Sequence, residues 1–481
     1  MSQFTHGTRV KEQETKLKMF LSAKMPTVIV GTAAINQGDV TCVNKPVLIQ
    51  NPKDAAVYFG GTNNIPGFTI NEALYLAFNV YGVSPIIAIN VLDPKKHKTD
   101  GTENKLVLKD RKVKLKEYGI LNNEKLIIKN NSTSSPLDKE KYTVEYDLDG
   151  KIIITISDTE KSITSLDVTY EYLDPTKVTE DDVIGKIDPK SLEATGMENI
   201  KNIFPTYAMI PSCVIAPDFA TEKIKAALYA KSDVINDKWG SISIPEIPNT
   251  TKYGEMLEFK KSKNYIEASQ LINFGVPYLG DQIFHMSTCV ALLMQSVDIK
   301  NDGVPYESPS NKNCRMEGIG YYEGETFKKL NLDETEANLL NENGISTIIR
   351  QPNGTVFWGN RTSIFQPGGN TDPKDVWIPI KRMFKYIGNT IMLNNINEVD
   401  KPMTPSQCKN IETNINVWLS SLVSEGKLLG GRVEFRPDEN PEQEMIAGKY
   451  KWHIFLGGVL PGETLEFILE YDGNYLKTLF K

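Results

Sequence analysis

Reactive and metal-binding residues are scarce in this sequence. Five cysteines (Cys42, Cys213, Cys289, Cys314, Cys408) are spread through 481 residues without a CxxC pair. That spacing excludes a zinc ribbon and a dense disulfide framework, and reduced thiols of a protein made in a cytoplasm are expected. The four histidines (His6, His97, His285, His453) stand alone, none with a second histidine at metal-ligand spacing. No apolar run approaches the roughly 20 residues of a membrane span. The opening, "MSQFTHGTRVKEQETKLKMF", has no apolar stretch behind a basic start, so no secretory signal is expected. Basic charge is not in excess either. A formal net charge of −7 gives no electrostatic reason for a nucleic-acid partner or an anionic membrane. Aromatic residues are not interleaved with basic ones as stacking on RNA requires.

Motifs for chemistry are equally thin. Gly31 follows an apolar run, but "VGTAAINQG" lacks the further glycines of a dinucleotide loop, and no GKS or GKT occurs. No GxSxG elbow marks a nucleophile. "DIKNDG" (298–303) starts like a calcium loop, yet Lys300 stands at its third position and Pro309 at its twelfth, so a polar turn is expected. The acids of "RPDENPEQE" (Asp438, Glu439, Glu442, Glu444) read as a charged connection between strands. His285, between Phe284 and Met286, reads as a core or interface histidine. No catalytic residue, cofactor or metal is expected.

What the chain has is length and pattern. It is long enough for roughly three domains. Up to about residue 94, "PTVIVGTAA" and "SPIIAINVLDP" read as core strands around "TINEALYLAFNVYG". In that stretch Ala73, Leu74, Ala77, Phe78 and Tyr81 share a helical face and Gly82 is the stop. Strand, helix, strand suggests an α/β layer. Residues 95–186 turn lysine-rich and strand-like, with Asp149-Gly150 as a hairpin turn, and read as an inserted all-β sandwich with solvated faces. From 187 to 370 the α/β pattern resumes: "PTYAMIPSCVIAPDF" gives two strand-like runs, "TEKIKAALYAKSDVIND" a helix, and "STIIRQPNGTVFWGNRTS" a hairpin turning at Asn353-Gly354.

The last part, 371–462, holds the best helix, "TPSQCKNIETNINVWLSSLVSEG". Thr404 caps it, Pro405 opens it, Gln407 completes a capping box and Gly426 stops it. Ile411, Ile415, Trp418, Leu419 and Leu422 form its apolar stripe. Beyond it, 463–481 alternates: Leu465, Phe467, Leu469 and Tyr471 fall two apart around Glu466 and Glu470, the period of a half-buried strand. A second apolar patch (Tyr475, Leu476, Leu479, Phe480) follows. The fold class expected is mixed α/β and multidomain, with an α+β C-terminal domain ending in an extended strand arm.

Seven stretches, in order along nearly the whole chain, resemble the tail sheath proteins of contractile bacteriophages and phage-like bacteriocins. They are "HGTRVKE", "PTVIVGTA", "YLDPTKVTEDDVIG", "YAMIPSCVIAPDF", "NDGVPYESPSNKN", "NGTVFWGNRT" and "RVEFRPDENPEQEMIAGKYKWHIFLGGVLPGETLEFILEY". The resemblance implies a structural polymer: six-fold rings stacked around an inner tube, with a baseplate and a tail terminator as further partners, in a particle tail assembled in the bacterial host cytoplasm. It implies a subtilisin-like but non-proteolytic core. The inserted domain is expected to face outward, because it interrupts the α/β pattern and is dense in lysine and glutamate. The resemblance also implies that an N-terminal arm (1–25, with Thr8 and Val10) and the C-terminal strand pair with neighbouring subunits. The region from 371 is then the tube-facing layer. The helix face bearing Lys409, Asn410, Thr413 and Asn416, with Lys427 beyond its end, is the candidate contact, against the alternative that this face meets solvent or another sheath domain. On the residues alone two other readings remain: a cytoplasmic α/β enzyme with a β-sandwich appendage, and a non-contractile self-assembling shell protein.

Overall fold

A computed structural model describes residues 20–147, 149–369 and 372–480. They form two compact units: Lys24–Asn389 with the chain from Gly458 onward, and the described residues up to Ala23 with Thr390–Gly457. The division falls inside the helix Ile378–Asn395 rather than near position 371. A helix continues through it, so no Gly/Pro-rich linker marks the boundary in composition.

The larger unit is built on a five-stranded sheet. Its order is Ile242–Ile244, Cys213–Ile215, Thr27–Gly31, Ile86–Asn90, Pro46–Ile49. The first four run parallel, with Thr27 opposite both Cys213 and Ile86, and Pro46–Ile49 adds an antiparallel edge. Thr27–Gly31 and Ile86–Asn90 are buried at every position. A parallel strand covered on both faces needs apolar residues continuously, and "TVIVG" and "IIAIN" supply them. The helix Met286–Lys300 is buried along most of its length. Thr69–Tyr75 continues as a wider π turn over Leu76–Tyr81 and closes at Gly82, whose φ of +65° suits glycine. Of the two runs in "PTYAMIPSCVIAPDF", the first follows the short helix Ile203–Tyr207 as irregular chain over 208–210, and only Cys213–Ile215 is a strand. Short apolar runs carry too few periods to tell a strand from a buried turn.

Two further sheets belong to this unit: Ile272–Asn273, Ile345–Gln351 and Gly354–Trp358 in one, and Gln282–Ile283, Val276–Leu279, Gly318–Glu323 and Thr326–Leu330 in the other. The expected hairpin is present with Gln351 opposite Gly354, so its turn residues are Pro352 and Asn353, one position earlier than the sequence suggested.

Among the described residues of Lys98–Leu173 there are strands, loops and one 3-10 turn, and no α-helix. Two three-stranded antiparallel sheets, one of Lys98–Val107, Ser165–Leu173 and Ile127–Asn130, the other of Lys112–Tyr118, Lys151–Ile156 and Tyr142–Tyr146, share one core. Ile152, Ile154 and Ile156 alternate inward along Lys151–Ile156 and meet Leu166, Val168, Leu115 and Ile128. Lys112, Lys114 and Lys116 point outward between buried Val113 and Leu115, which accounts for the lysine density. Glu171 is the buried exception. Hydrogen bonds from Lys125 and Lys98 hold its pKa down to about 2.

In the smaller unit, Thr404 accepts from the Gln407 amide and opens Pro405–Ser424. Ile411, Ile415, Trp418, Leu419 and Leu422 are buried as the stripe required. The capping box is not completed, because the Gln407 side chain donates to Glu398 instead. Gly430–Glu434 pairs antiparallel with His453–Gly457, and the acidic connection between them forms two short helical turns, Pro437–Glu439 and Glu442–Ile446. Phe20 stacks on Trp418 at 5.1 Å, and the Asn394 amide bonds both the Leu21 N–H and its carbonyl at 2.9 Å. Residues 20 and 21 are thus packed rather than part of a free arm.

Candidate functional site

The C-terminal segment is apolar and unpaired. From residue 458 to 472 it joins no ladder among the described residues. Leu465, Phe467, Leu469 and Tyr471 are 75–96% exposed, and Ile468 on the opposite face is exposed too. A run of large apolar side chains open to water marks an interaction surface in a soluble protein. The strand expected from the alternation is not formed within the described chain. Gly473–Phe480 turns into a 3-10 helix, again with Tyr475, Leu476 and Leu479 exposed.

The segment is anchored near its start to the rest of the larger unit. Arg361 donates through Nε (3.1 Å) and Nη2 (2.6 Å) to the two carboxylate oxygens of Glu463. The same guanidinium lies 3.4 Å from the centre of the Trp377 ring. A planar fork that matches a carboxylate and also stacks on indole is a task for arginine rather than lysine. Sequence reasoning missed this clamp, although Arg361 lies in "NGTVFWGNRT" and Glu463 opens the alternating run.

Thr8 and Val10 lie outside the described residues. Of the proposed helix face, Asn410 and Thr413 are exposed, and exposed Lys409 is paired with Glu412 at 2.7 Å. The other two positions are not free. Asn416 is half-buried, donates from Nδ2 to the Val433 carbonyl (3.1 Å) and accepts the Val433 N–H (2.9 Å). It thereby satisfies the outer edge of Gly430–Glu434. Lys427 is only 7% exposed, and its Nζ lies 2.8 Å from Glu425. The chain folds back after the helix, with the Lys427 N–H on the Leu422 carbonyl, and draws the residue inward. Asn416→Ala should therefore cost about 1–3 kcal/mol in urea unfolding, because two backbone groups lose their partner. Thr413→Ala should cost ~0.5 kcal/mol or less. Equal costs would strip Asn416 of this role.

A cavity of about 790 Å³ opens in the larger unit at the carboxyl ends of the parallel strands. Its lining includes His285, Glu72, Asp218 and Glu246. His285 Nδ1 lies 2.8 Å from Glu72 Oε2, and Nε2 lies 3.6 Å from Asp218 Oδ1. A catalytic imidazole keeps one nitrogen on a carboxylate and turns the other to a nucleophile. Here both nitrogens face carboxylates, which makes this an ionic cluster rather than a triad. Asp298 of "DIKNDG" is not in a turn: it sits in the last turn of Met286–Lys300, buried against Arg382, and only Asn301–Gly303 turns. Among the described residues no three His, Cys, Asp or Glu side chains are grouped to hold a metal, and no helix is long and apolar enough to cross a membrane.

No protein-family model matches the chain. Individual relatives do. The tail sheath protein of Burkholderia phage BcepMu is 26% identical over 497 aligned positions, covering 99% of this chain and 98% of the relative. Over nearly its whole length the chain is similar to a phage tail sheath protein. The tail sheath protein of Escherichia phage P2 is 28% identical to this chain over 167 residues, 35% of this chain and 40% of the relative. Solved structures agree at the level of fold. A chain of the anti-feeding prophage baseplate superposes with a TM-score of 0.58 at 14% identity, covering 98% of this chain and all of that one. A contracted extracellular injection-system sheath, PVC, gives 0.58 at 13% identity over 99% of this one. The mixed α/β, multi-sheet architecture is that of sheath proteins.

Proposed function

We propose that this protein is the structural subunit of a contractile tail sheath, polymerising as stacked hexameric rings around an inner tube and contracting to drive the tube through a target envelope. The full-length match to a phage tail sheath protein carries this reading. The unpaired apolar terminus supports it, since a self-assembling subunit has other copies to bury that surface. Besides other copies, the partners are an inner tube protein, a baseplate and a tail terminator, in a particle assembled in the host cytoplasm and acting without enzymatic chemistry. The domains are an N-terminal arm, a subtilisin-like α/β core split by an outward-facing β-sandwich, and a tube-facing C-terminal domain. A central parallel sheet with a buried helix is compatible with that core. On the tube-facing helix the contact falls to Lys409, Asn410 and Thr413, the positions that are exposed.

The C-terminal strand has a receptive edge to meet. His453–Gly457 pairs on one side only and is half-exposed throughout, so its other edge is open among the described residues. An extended segment docking there gains main-chain hydrogen bonds and buries alternate side chains. Purified full-length chain should sediment as large tubes, with extended and contracted diameters seen by electron microscopy of complete particles. A small oligomer at every concentration would overturn the assembly, and a single invariant diameter would overturn contraction.

A further inference from the structure

The cavity at the carboxyl ends of the parallel strands has an unusual electrostatic make-up. Its lining holds five carboxylates (Glu72, Asp149, Asp218, Glu246, Asp281) and no lysine or arginine, so His285 is the one side chain there able to carry positive charge. Each near neighbour comes from a different element. Glu72 projects from Thr69–Tyr75, Asp218 follows Cys213–Ile215, Glu246 follows Ile242–Ile244, and His285 immediately precedes Met286–Lys300. The Glu72 carboxylate spans both faces of the junction, accepting from the His285 backbone N–H at 2.9 Å while its other oxygen meets the ring. Glu246 accepts the Ser287 N–H at 2.8 Å. Glu72 and Glu246 are buried, whereas the His285 side chain is 29% exposed and open to protons from solvent.

We infer that His285 is a proton-dependent latch: protonated, its ring ties Glu72 and Asp218 together and holds the start of the central helix against the strand ends. Deprotonated, it leaves carboxylates facing one another across the cavity with one fewer partner, and the loops after Cys213–Ile215 and Ile242–Ile244 lose their tie. The direction of titration agrees. Burial opposes charge on the ring, but Glu72 and the bond to Asp218 outweigh it and raise the His285 pKa well above the ordinary imidazole value. The bond to His285 lowers the Asp218 pKa. Burial raises that of Glu246, against the pull of His285 and Ser287. A histidine with a raised folded-state pKa contributes stability that is fully present below its unfolded value of about 6.5 and lost as pH climbs through the folded value. A carboxyl raised by burial has the same sign, so Glu246 reinforces the loss. The latch is a property of the subunit and stands whether or not the chain polymerises.

The test uses the full-length chain, with hydrogen–deuterium exchange at the imidazole Cε1 read by mass spectrometry for each histidine against pH. The His285 inflection should lie above 6.5, and Asp218→Asn should move it down by roughly 1 unit. Asparagine tolerates the φ of +76° at this exposed position, so the variant keeps its fold. In thermal melts the wild type should lose stability from pH about 6.5 upward, and His285→Gln should lose markedly less over the same range. An inflection at or below 6.5, or a His285→Gln profile parallel to wild type, would overturn the latch.

Discussion

A chain ending at Thr464 should fold normally and form no tubes. Beyond that residue, the bonds of the described chain are local, such as the Tyr475 N–H to the Asp472 carbonyl, and the large apolar side chains face water. Removing them uncovers nothing, so unfolding free energy should stay within ~0.5 kcal/mol of the full chain. The position of the cut matters. Stopping at Gly462 would also delete Glu463 and leave Arg361 over Trp377 without its carboxylate, mixing a local defect with the loss of the arm. Burying Leu465, Phe467, Leu469 and Tyr471 gains about 1.5–3 kcal/mol each. Ordering the backbone costs about 1–2 kcal/mol per residue. The net per arm is modest, so tubes depend on every subunit contributing one. Phe467→Asp with Leu469→Asp should block assembly almost as fully as truncation, while Glu466→Gln should not. Far-UV circular dichroism, sedimentation and electron microscopy decide it. Normal tubes from the truncated chain would remove the arm from the assembly, and loss of native dichroism would assign it to the subunit fold.

Elements whose burial is uniform were the legible ones. "TVIVG" and "IIAIN" read as core strands because both their faces are covered, and the stripe of Pro405–Ser424 needed only helical periodicity. The failures share a cause: a side chain's role was set by a partner far away in sequence. Gln407 has the spacing of a capping box but is drawn to Glu398. Asn416 stands on the polar side of its helix, yet Val433 claims both ends of its amide. His285 and Glu72, 213 positions apart, carry no local pattern that joins them. Asp298 looked like a loop residue because "NDG" follows it, and only the fold reveals Arg382, 84 positions on. The exposed terminus was legible for the opposite reason. Its alternation implies a buried face, and no buried face exists for it within the described chain.

Arg382→Ala should be among the most destabilising single substitutions in the protein. Arg382 and Asp298 are both buried and bonded through Nη2 and Oδ2, while Nη1 and Oδ1 have no partner. Asp298 occupies the last turn of Met286–Lys300, where carbonyls concentrate partial negative charge and a carboxylate is unwelcome. Burial pushes its pKa up, and Arg382 is what pulls against that. Truncating the arginine strands the carboxylate, a loss of about 3–5 kcal/mol where a buried pair is broken on one side. Against a total stability of about 5–15 kcal/mol, that is enough to lower expression of folded chain. The loss should shrink on acidification. A carboxyl whose folded-state pKa is raised above about 3.9 contributes unfavourably as pH rises through that range, and protonation relieves it. Replacing both partners by apolar residues of similar size, Asp298→Leu with Arg382→Met, should recover most of the stability, since the desolvation of two charges is then no longer required. Urea unfolding of the two variants at pH 7 and pH 5 measures all three expectations. A single substitution costing under about 1 kcal/mol, or a double variant no better than the single, would mean that the pair is solvated and contributes little.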